Sequence, residues 1–344
     1  MAFQLFCFLV ITQTPRAEAV PSDFNFVAAG DWGCNSETHR NISAMEAIDP
    51  ELVFALGDLS YQSKASCWID EIDPIINVTR ITIGNHDAES ASLLNEYMDR
   101  FGLEKQYYSF DYGGIHFLSM STEGPYGIGS EQYEFVKSDL QNATASADTL
   151  WRIVYFHKLM YTSPNEHGPL TDFRNIYHPL FDKYDVDLVL QAHNHNYQRS
   201  FPLTFNLDTP SKPVITTSNS STYGDYDGEI YMVIGTGGAP KYNLEGKEPY
   251  IASQMEAFGF VNFEVDGEGR TLKGTFYASD GTAKDTFTLQ KDDTSVPKDD
   301  TSVPKDDTTT PEFPLGLAIP ITLVVLFVSV VVMSRKQGWA PQPA

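Results

Sequence analysis

Five separate apolar runs in this chain each stop at a side chain able to hold a cation. FNFVAAG ends on Asp31, LVFALG on Asp58, ITIG on Asn85, WRIVYF on His157, and DLVLQA on His193-Asn194-His195. The runs at 24–28, 52–56, 78–83, 151–156 and 187–190 are short and rich in β-branched and aromatic residues, the pattern of buried strands. Helix-like stretches lie between them at 88–100, 131–140 and 172–184. Strand–helix alternation predicts an α/β fold. Further strands are expected at 107–110, 115–120, 229–234, 260–265 and 272–277, the last group without helices between them. Two mixed β-sheets flanked by α-helices, a four-layer sandwich, accommodate both habits.

Singly, each strand-end residue has a plain explanation. Gly-Asp after a strand is commonly a turn, where Asp bonds its own backbone, and a lone His157 is commonly a satisfied core histidine. His193 and His195 say more, because alternate residues of an extended segment point the same way. Together the five ends are informative, since ligands of open α/β sheets bind beyond the carboxyl ends of the strands. Carboxylate, amide oxygen and imidazole suit zinc, iron or manganese, and the lack of cysteine among them argues against a thiolate or iron–sulfur site. So many ligands are too many for one ion. One aspartate bridging two ions about 3.5–4 Å apart fits an in-line displacement.

The blocks GDWG (Gly30–Gly33), GDLSY (Gly57–Tyr61), GNHD (Gly84–Asp87), VYFH (Val154–His157) and AHNH (Ala192–His195) resemble, in order and spacing, those of purple acid phosphatases within the metallophosphoesterase superfamily. AHNHNYQR and a later YMVIGTGG extend the resemblance through most of the foldable region. It implies that Asp31, Tyr61 and His195 hold Fe(III), that Asn85, His157 and His193 hold Fe(II), Zn(II) or Mn(II), and that Asp58 bridges. Tyr61, otherwise a strand-edge packing residue, becomes the phenolate that colours the ferric site. His86 is implied as the group that contacts phosphate and protonates the leaving alkoxide, and His167 as a second such histidine. His39, His116 and His178 match no motif and read as structural or surface residues. Ala192 stands where the last block commonly has glycine, and Lys158-Leu159 departs from the usual continuation.

The ends of the chain predict a topology. An apolar run from Phe3 to Ile11 followed by Ala17-Glu18-Ala19 reads as a signal peptide over 1–19; a buried first strand or helix is the rival reading. The domain then spans 20–290. KDDTSVP, KDDTSVP and KDDTTTP fill a stalk at 291–314 whose charge and regular prolines keep it extended. Residues 315–333 are an uncharged apolar stretch long enough for a transmembrane helix. Arg335 and Lys336 follow, so the tail at 334–344 is expected in the cytosol and the domain outside or in a lumen. A lipid-anchor signal would instead end in its apolar tail.

Of the three cysteines, Cys7 leaves with the signal peptide. Cys34 and Cys67, each just after a proposed metal-binding loop, are expected to pair in an oxidising compartment; thiolate ligation is the rival use. Sequons at Asn41, Asn77, Asn142 and Asn219 suit a glycosylated surface.

A net charge of −23 argues against a nucleic-acid partner, so phosphate must be drawn by local cations. The expected activity is that of an acid phosphatase: hydrolysis of phosphate monoesters, on small molecules or phosphoproteins, by a binuclear centre with a metal-bound hydroxide nucleophile. A metal-dependent phosphodiesterase or nucleotide hydrolase is the first alternative, and a non-catalytic cell-surface binding protein the second.

Overall fold

The computed structural model describes residues 23–224 and 226–292. The expected signal peptide, the stalk beyond residue 292, the transmembrane segment and the tail lie outside the described residues. Among the described residues no helix is long and apolar enough to cross a membrane.

The elements run β1 (Phe24–Ala29), α1 (Ser36–Ile48), β2 (Leu52–Ala55), α2 (Ser66–Glu71), a 3₁₀ turn (Asp73–Val78), β3 (Thr79–Ile81), α3 (Ala91–Phe101), β4 (Tyr108–Tyr112), β5 (Ile115–Ser119), α4 (Glu131–Ala145), β6 (Trp151–Tyr155) and α5 (Thr171–Lys183). Strands dominate thereafter: β7 (Leu188–Gln191), β8 (Tyr197–Thr204), β9 (Val214–Ile215), β10 (Thr222–Gly224), β11 (Glu229–Ile234), β12 (Ile251–Met255), β13 (Gly259–Val265), β14 (Thr271–Ala278) and β15 (Ala283–Gln290).

They form two mixed sheets. The first has the order β10-β15-β14-β13-β1-β2-β3 and the second β12-β8-β11-β7-β6-β5-β4, with β9 beside β8. Strands β1, β2 and β3 are mutually parallel, as are β5, β6, β7 and β11. Both parallel sets are buried on two faces, so they read as continuous apolar runs rather than as alternating ones.

The period of two assigns the layers. Ile153 and Tyr155 of β6 join Phe26, Phe54 and Phe263 of the first sheet in one cluster. Phe26 lies edge-on to Phe117 at 5.4 Å, and Phe54 to Tyr155 at 4.9 Å, so aromatic rings seal the seam between the sheets. The intervening Val154 and Phe156 face the other way, onto Val136 and Leu140 of α4 and Phe173, Tyr177 and Phe181 of α5. Ile42 and Met45 of α1 pack on the first sheet's side of the core.

Helix starts follow their capping residues: Asn35 accepts from Glu37 N and Thr38 N, Ser90 from Leu93 N, and Ser130 from Tyr133 N. The first of these marks α1, a helix the apolar pattern does not announce, because its buried face is Thr38, Asn41, Ile42 and Met45. Cys34 and Cys67 are bonded, Cα–Cα 6.1 Å apart, as expected. One expectation is corrected. Asn41 is buried and its amide donates to Thr236 O and Gly237 O, so this sequon has no room for a glycan; Asn77, Asn142 and Asn219 are exposed.

Candidate metal centre

Because β1, β2, β3, β6 and β7 are parallel within their sheets, their carboxyl ends share one edge of the sandwich. Backbone bonds stitch the exits together: Gly30 N to Ile234 O joins the two sheets, Asp31 N bonds Gly57 O, and Ala192 N bonds His157 O. The bare α-carbon of Gly30 is what admits the methyl of Ala192, since a Cβ at 30 would overlap it. Alanine in place of the usual glycine therefore leaves the histidine loop in position. Gly84 likewise has no room for a side chain against the Asp58 carboxylate.

Two triads result. Tyr61 Oη lies 2.9 Å from Asp31 Oδ1 and 2.8 Å from His195 Nε2, and the last two atoms are 3.4 Å apart. Asp58 Oδ2 is 3.2 Å from His157 Nε2, which is 3.2 Å from His193 Nδ1. Asp58, His157 and His193 offer atoms spaced closely enough to share one ion. Asn85 Oδ1 is buried with no hydrogen-bond partner. All seven sequence-predicted ligands therefore lie at the strand exits; the second triad groups Asp58, rather than Asn85, with His157 and His193.

The residues fit a cation pair on three physical counts. His157 Nδ1 meets Leu56 O at 2.8 Å and His195 Nδ1 meets Pro240 O at 2.6 Å. A carbonyl on Nδ1 turns the other nitrogen into the site, the usual outer support of a ligating imidazole. Buried negative charge is concentrated here. Burial alone would raise Asp31 and Asp58, yet contact with His195 and His157 holds both below the ordinary carboxylate range. The carboxylates in turn draw protons: burial would lower His157, but Asp58 pushes it up to about 10, and Asp31 raises His195. Burial and the charge of His157 push His193 down to about 3, and burial with Asp31 and Asp58 raises the Tyr61 phenol far above its usual range. A cation among these groups would reverse the last effect and favour phenolate.

The backbone is strained here. Asp31, Asp58, Tyr61 and His193 have φ of 56°, 50°, 54° and 70°, a left-handed region that costs an L-residue roughly 1–2 kcal/mol. Strain of this kind persists where surrounding contacts over-determine it and gathers at functional sites.

The two remaining sequence-predicted residues rim the cluster. His86 is partly exposed; its Nδ1 meets Glu89 Oε1 at 2.6 Å and its Nε2 is 4.0 Å from Asp58 Oδ2. His167 stacks on His193 at 4.1 Å, and burial lowers its pKa. Asn194 clamps it, accepting from His167 N and donating to His167 O. Lys158 faces away, paired with Glu123 at 2.9 Å.

Three residues escaped the sequence reading. Asp87 accepts from the amides of Asp58, Leu59 and Gly84, each at 2.8 Å, and so ties the second and third loops together. Burial and the charge of Asp58 push it up to about 7 against those amides. Its signal was the final letter of GNHD. Asn194 lies between two candidate ligands, and Tyr242, which stacks on His195 at 3.9 Å, carried no motif signal.

The calcineurin-like phosphoesterase family model matches residues 24–197. Among curated proteins, the chain is 28% identical to purple acid phosphatase 21 of Arabidopsis thaliana, over 57% of this chain and 50% of the relative. It is 26% identical to probable inactive purple acid phosphatase 27 of the same plant, over 75% and 46%. It thus spans about half the length of these relatives. Among solved structures, purple acid phosphatase PPD1 from yellow lupin seeds superposes with a TM-score of 0.66 at 24% identity, over 79% of this chain and 55% of that one, a likeness of fold.

Proposed function

This chain belongs to the calcineurin-like phosphoesterase family and is similar to purple acid phosphatases, and from that premise we propose that it hydrolyses phosphate monoesters in acid with two metal ions. The observation that carries the reading is the convergence of seven donor residues from five strand exits, six of them in two triads and Asn85 with its buried Oδ1 unpartnered, with Asp58 close to both imidazoles of the second triad. Asp31, Tyr61 and His195 would hold one ion, Asn85, His157 and His193 the other, with Asp58 shared. Bound there, two cations supply Lewis-acid polarisation of the phosphoryl group and an acidified water.

The side chains carry the rest. Glu89 occupies His86 Nδ1, so Nε2 is the nitrogen left to face substrate, and as imidazolium it can give its proton to the departing alkoxide. General acid help of this type contributes roughly 10²–10⁴-fold. His167, with a lowered pKa and a ring held by Asn194, suits neutral N–H donation to a phosphoryl oxygen rather than proton transfer. Asp87 keeps the Asp58 and Asn85 loops in register.

A non-catalytic reading has one observation in its favour, a relative named probable inactive. The complete donor set speaks against it. A phosphodiesterase would use the same metals, and the assay separates the two. Purified protein, analysed for iron, zinc and manganese, is assayed on p-nitrophenyl phosphate and its bis ester across pH. Faster turnover of the monoester with a maximum in acid is expected; faster diester turnover, or none on either, overturns the reading. For the metals, the expectation is a visible absorption band that Tyr61→Phe abolishes, whereas a colourless, iron-free, zinc-loaded enzyme refutes the ferric assignment.

The proposal also sets the domain outside the cell or in an acidic lumen, anchored by 315–333. What supports this is the sequence of the two ends together with the Cys34–Cys67 bond, which suits an oxidising compartment.

A further inference from the structure

A second cluster lies at the opposite end of the same sheet. Strand β11 runs parallel to β7, and Gly235, one residue beyond it, borders Asp31 and so the metal centre. Glu229 opens β11, six residues earlier, or about 20 Å away along an extended strand. Beside it are His178 and Asp182, four apart on α5 and hence on one face of that helix. His178 and Glu229 are fully buried.

The three groups are spaced as the ligands of one ion would be. His178 Nε2 is 3.1 Å from Glu229 Oε2 and 3.5 Å from Asp182 Oδ1, and all three atoms lie within 4.8 Å of one another. Yet His178 Nε2, Asp182 Oδ1 and both Glu229 oxygens are buried without a hydrogen-bond partner; the ring nitrogen is near the oxygens but not directed at them. Around a tetrahedral ion with ligand bonds near 2.0–2.1 Å, ligand atoms stand about 3.3 Å apart, between the two distances seen. His116 shows the other case. Its two nitrogens meet Asp111 and Asp139 at 2.8 Å in aligned hydrogen bonds, which is how an imidazole in this molecule pairs with carboxylates when both its nitrogens donate.

Two neighbours point the same way. Tyr161 Oη is 2.8 Å from His178 Nδ1 and donates onward to Pro210 O. The phenol therefore accepts from Nδ1–H, and Nε2 is the nitrogen that faces the two carboxylates. The two carboxylates need a positive charge beside them, which either a proton on Nε2 or a cation supplies; with a cation the ring is the oriented imidazole of a metal site. The Tyr231 hydroxyl, whose ring is 5.2 Å from that of His178, is also buried without a partner. Asp182 Oδ2 is held separately by Phe205 N. Arg174 lies over the Tyr161 ring, and among the described residues no ion pair joins it to either carboxylate.

We propose that His178 Nε2, Asp182 Oδ1 and Glu229 Oε2 bind a divalent transition metal of the zinc class. One imidazole and two carboxylates suit such an ion and neutralise it. The ligand atoms are buried although Asp182 is partly exposed, the cluster joins α5 to β11, and it lies at the amino end of the strands, so its role is to fasten helix to sheet.

The test loads wild-type protein and Glu229→Gln with zinc alone, removes excess by desalting and counts metal per chain. The wild type is expected to hold one equivalent more, and the same difference is expected in an Asp58→Asn background, so the result does not depend on the catalytic reading. Equal counts overturn the proposal. Should Glu229→Gln fail to fold, anomalous diffraction at the zinc edge from wild-type crystals decides: a peak bounded by the three atoms supports the site, and none at that position overturns it.

Discussion

The two imidazole–carboxylate clusters stand at opposite ends of one sheet and differ in the backbone that carries them. At the carboxyl ends, four of seven candidate ligands have positive φ, and the partly exposed His86 and His167 edge the cluster. At the amino end, His178 and Asp182 come from α5 and Glu229 from β11, none of them with positive φ, and nothing opens onto His178 or Glu229. A site that must admit substrate sits on loops, where donors from five strands can be aimed inward at the expense of strain. A site that only fastens elements can use unstrained positions and be closed. Access, rather than the kinds of side chain, separates the two.

The largest expected effect breaks the comparison at its open end. Asp58→Asn keeps the volume but removes the charge of the carboxylate proposed to bridge the two ions. It should lower kcat/KM on a phosphomonoester by roughly 10³-fold or more, given that loss of a single electrostatic stabiliser costs about 10²–10³. Thermal unfolding should shift far less than activity. A variant that kept near wild-type turnover would remove Asp58 from the bridging position.

Next comes His86→Gln, expected to reduce kcat by about 10²–10⁴-fold on alkyl phosphates and much less on p-nitrophenyl phosphate, whose leaving group hardly needs a proton. Equal losses on both would mean that His86 binds phosphate and transfers no proton. Asp87→Asn sharpens the contrast between the clusters from another side. An amide cannot serve the three backbone donors as a carboxylate does, so metal affinity at the open site should fall about 10–100-fold, the usual cost of disturbing an outer support. Titration of metal-free protein with zinc would show it as a weakened class of sites. Unchanged affinity would mean that the loops hold their register without Asp87.

How much of this could be read from the chain alone follows the same division. Strand ends were legible because a charged or imidazole residue at the end of a fully apolar run has no place in the core, and parallel strands send all such ends to one edge. The disulfide was legible through its position after two of those loops. Helix α1 was not, because its inward face includes Thr38 and Asn41, and a sequon pattern at Asn41 does not reveal that its amide bonds Thr236 O. Strand β15 was not, because its solvent-facing residues interrupt the apolar pattern. His178 read as merely structural, since Glu229 reaches it from a strand 51 residues away and no local spacing betrays the contact.

The smallest expected effect concerns His116, the imidazole that shows how a hydrogen-bonded pair looks in this fold. Burial would lower its pKa, but Asp139 and Asp111, one on each nitrogen, raise it above the ordinary histidine value. A histidine raised on folding stabilises fully below its unfolded pKa near 6.5, and the contribution fades as pH climbs through the raised folded value. Asp139 should supply most of it, because Asp111 is 75% exposed and water screens that contact. His116→Gln is therefore expected to cost on the order of 1 kcal/mol at pH 5.5, about 2–4 °C in Tm for a domain of this size, with the deficit shrinking toward pH 9. A deficit that grew with pH would mean that His116 is neutral when folded, and the difference drawn between its aligned hydrogen bonds and the misdirected contacts of His178 would lose its basis.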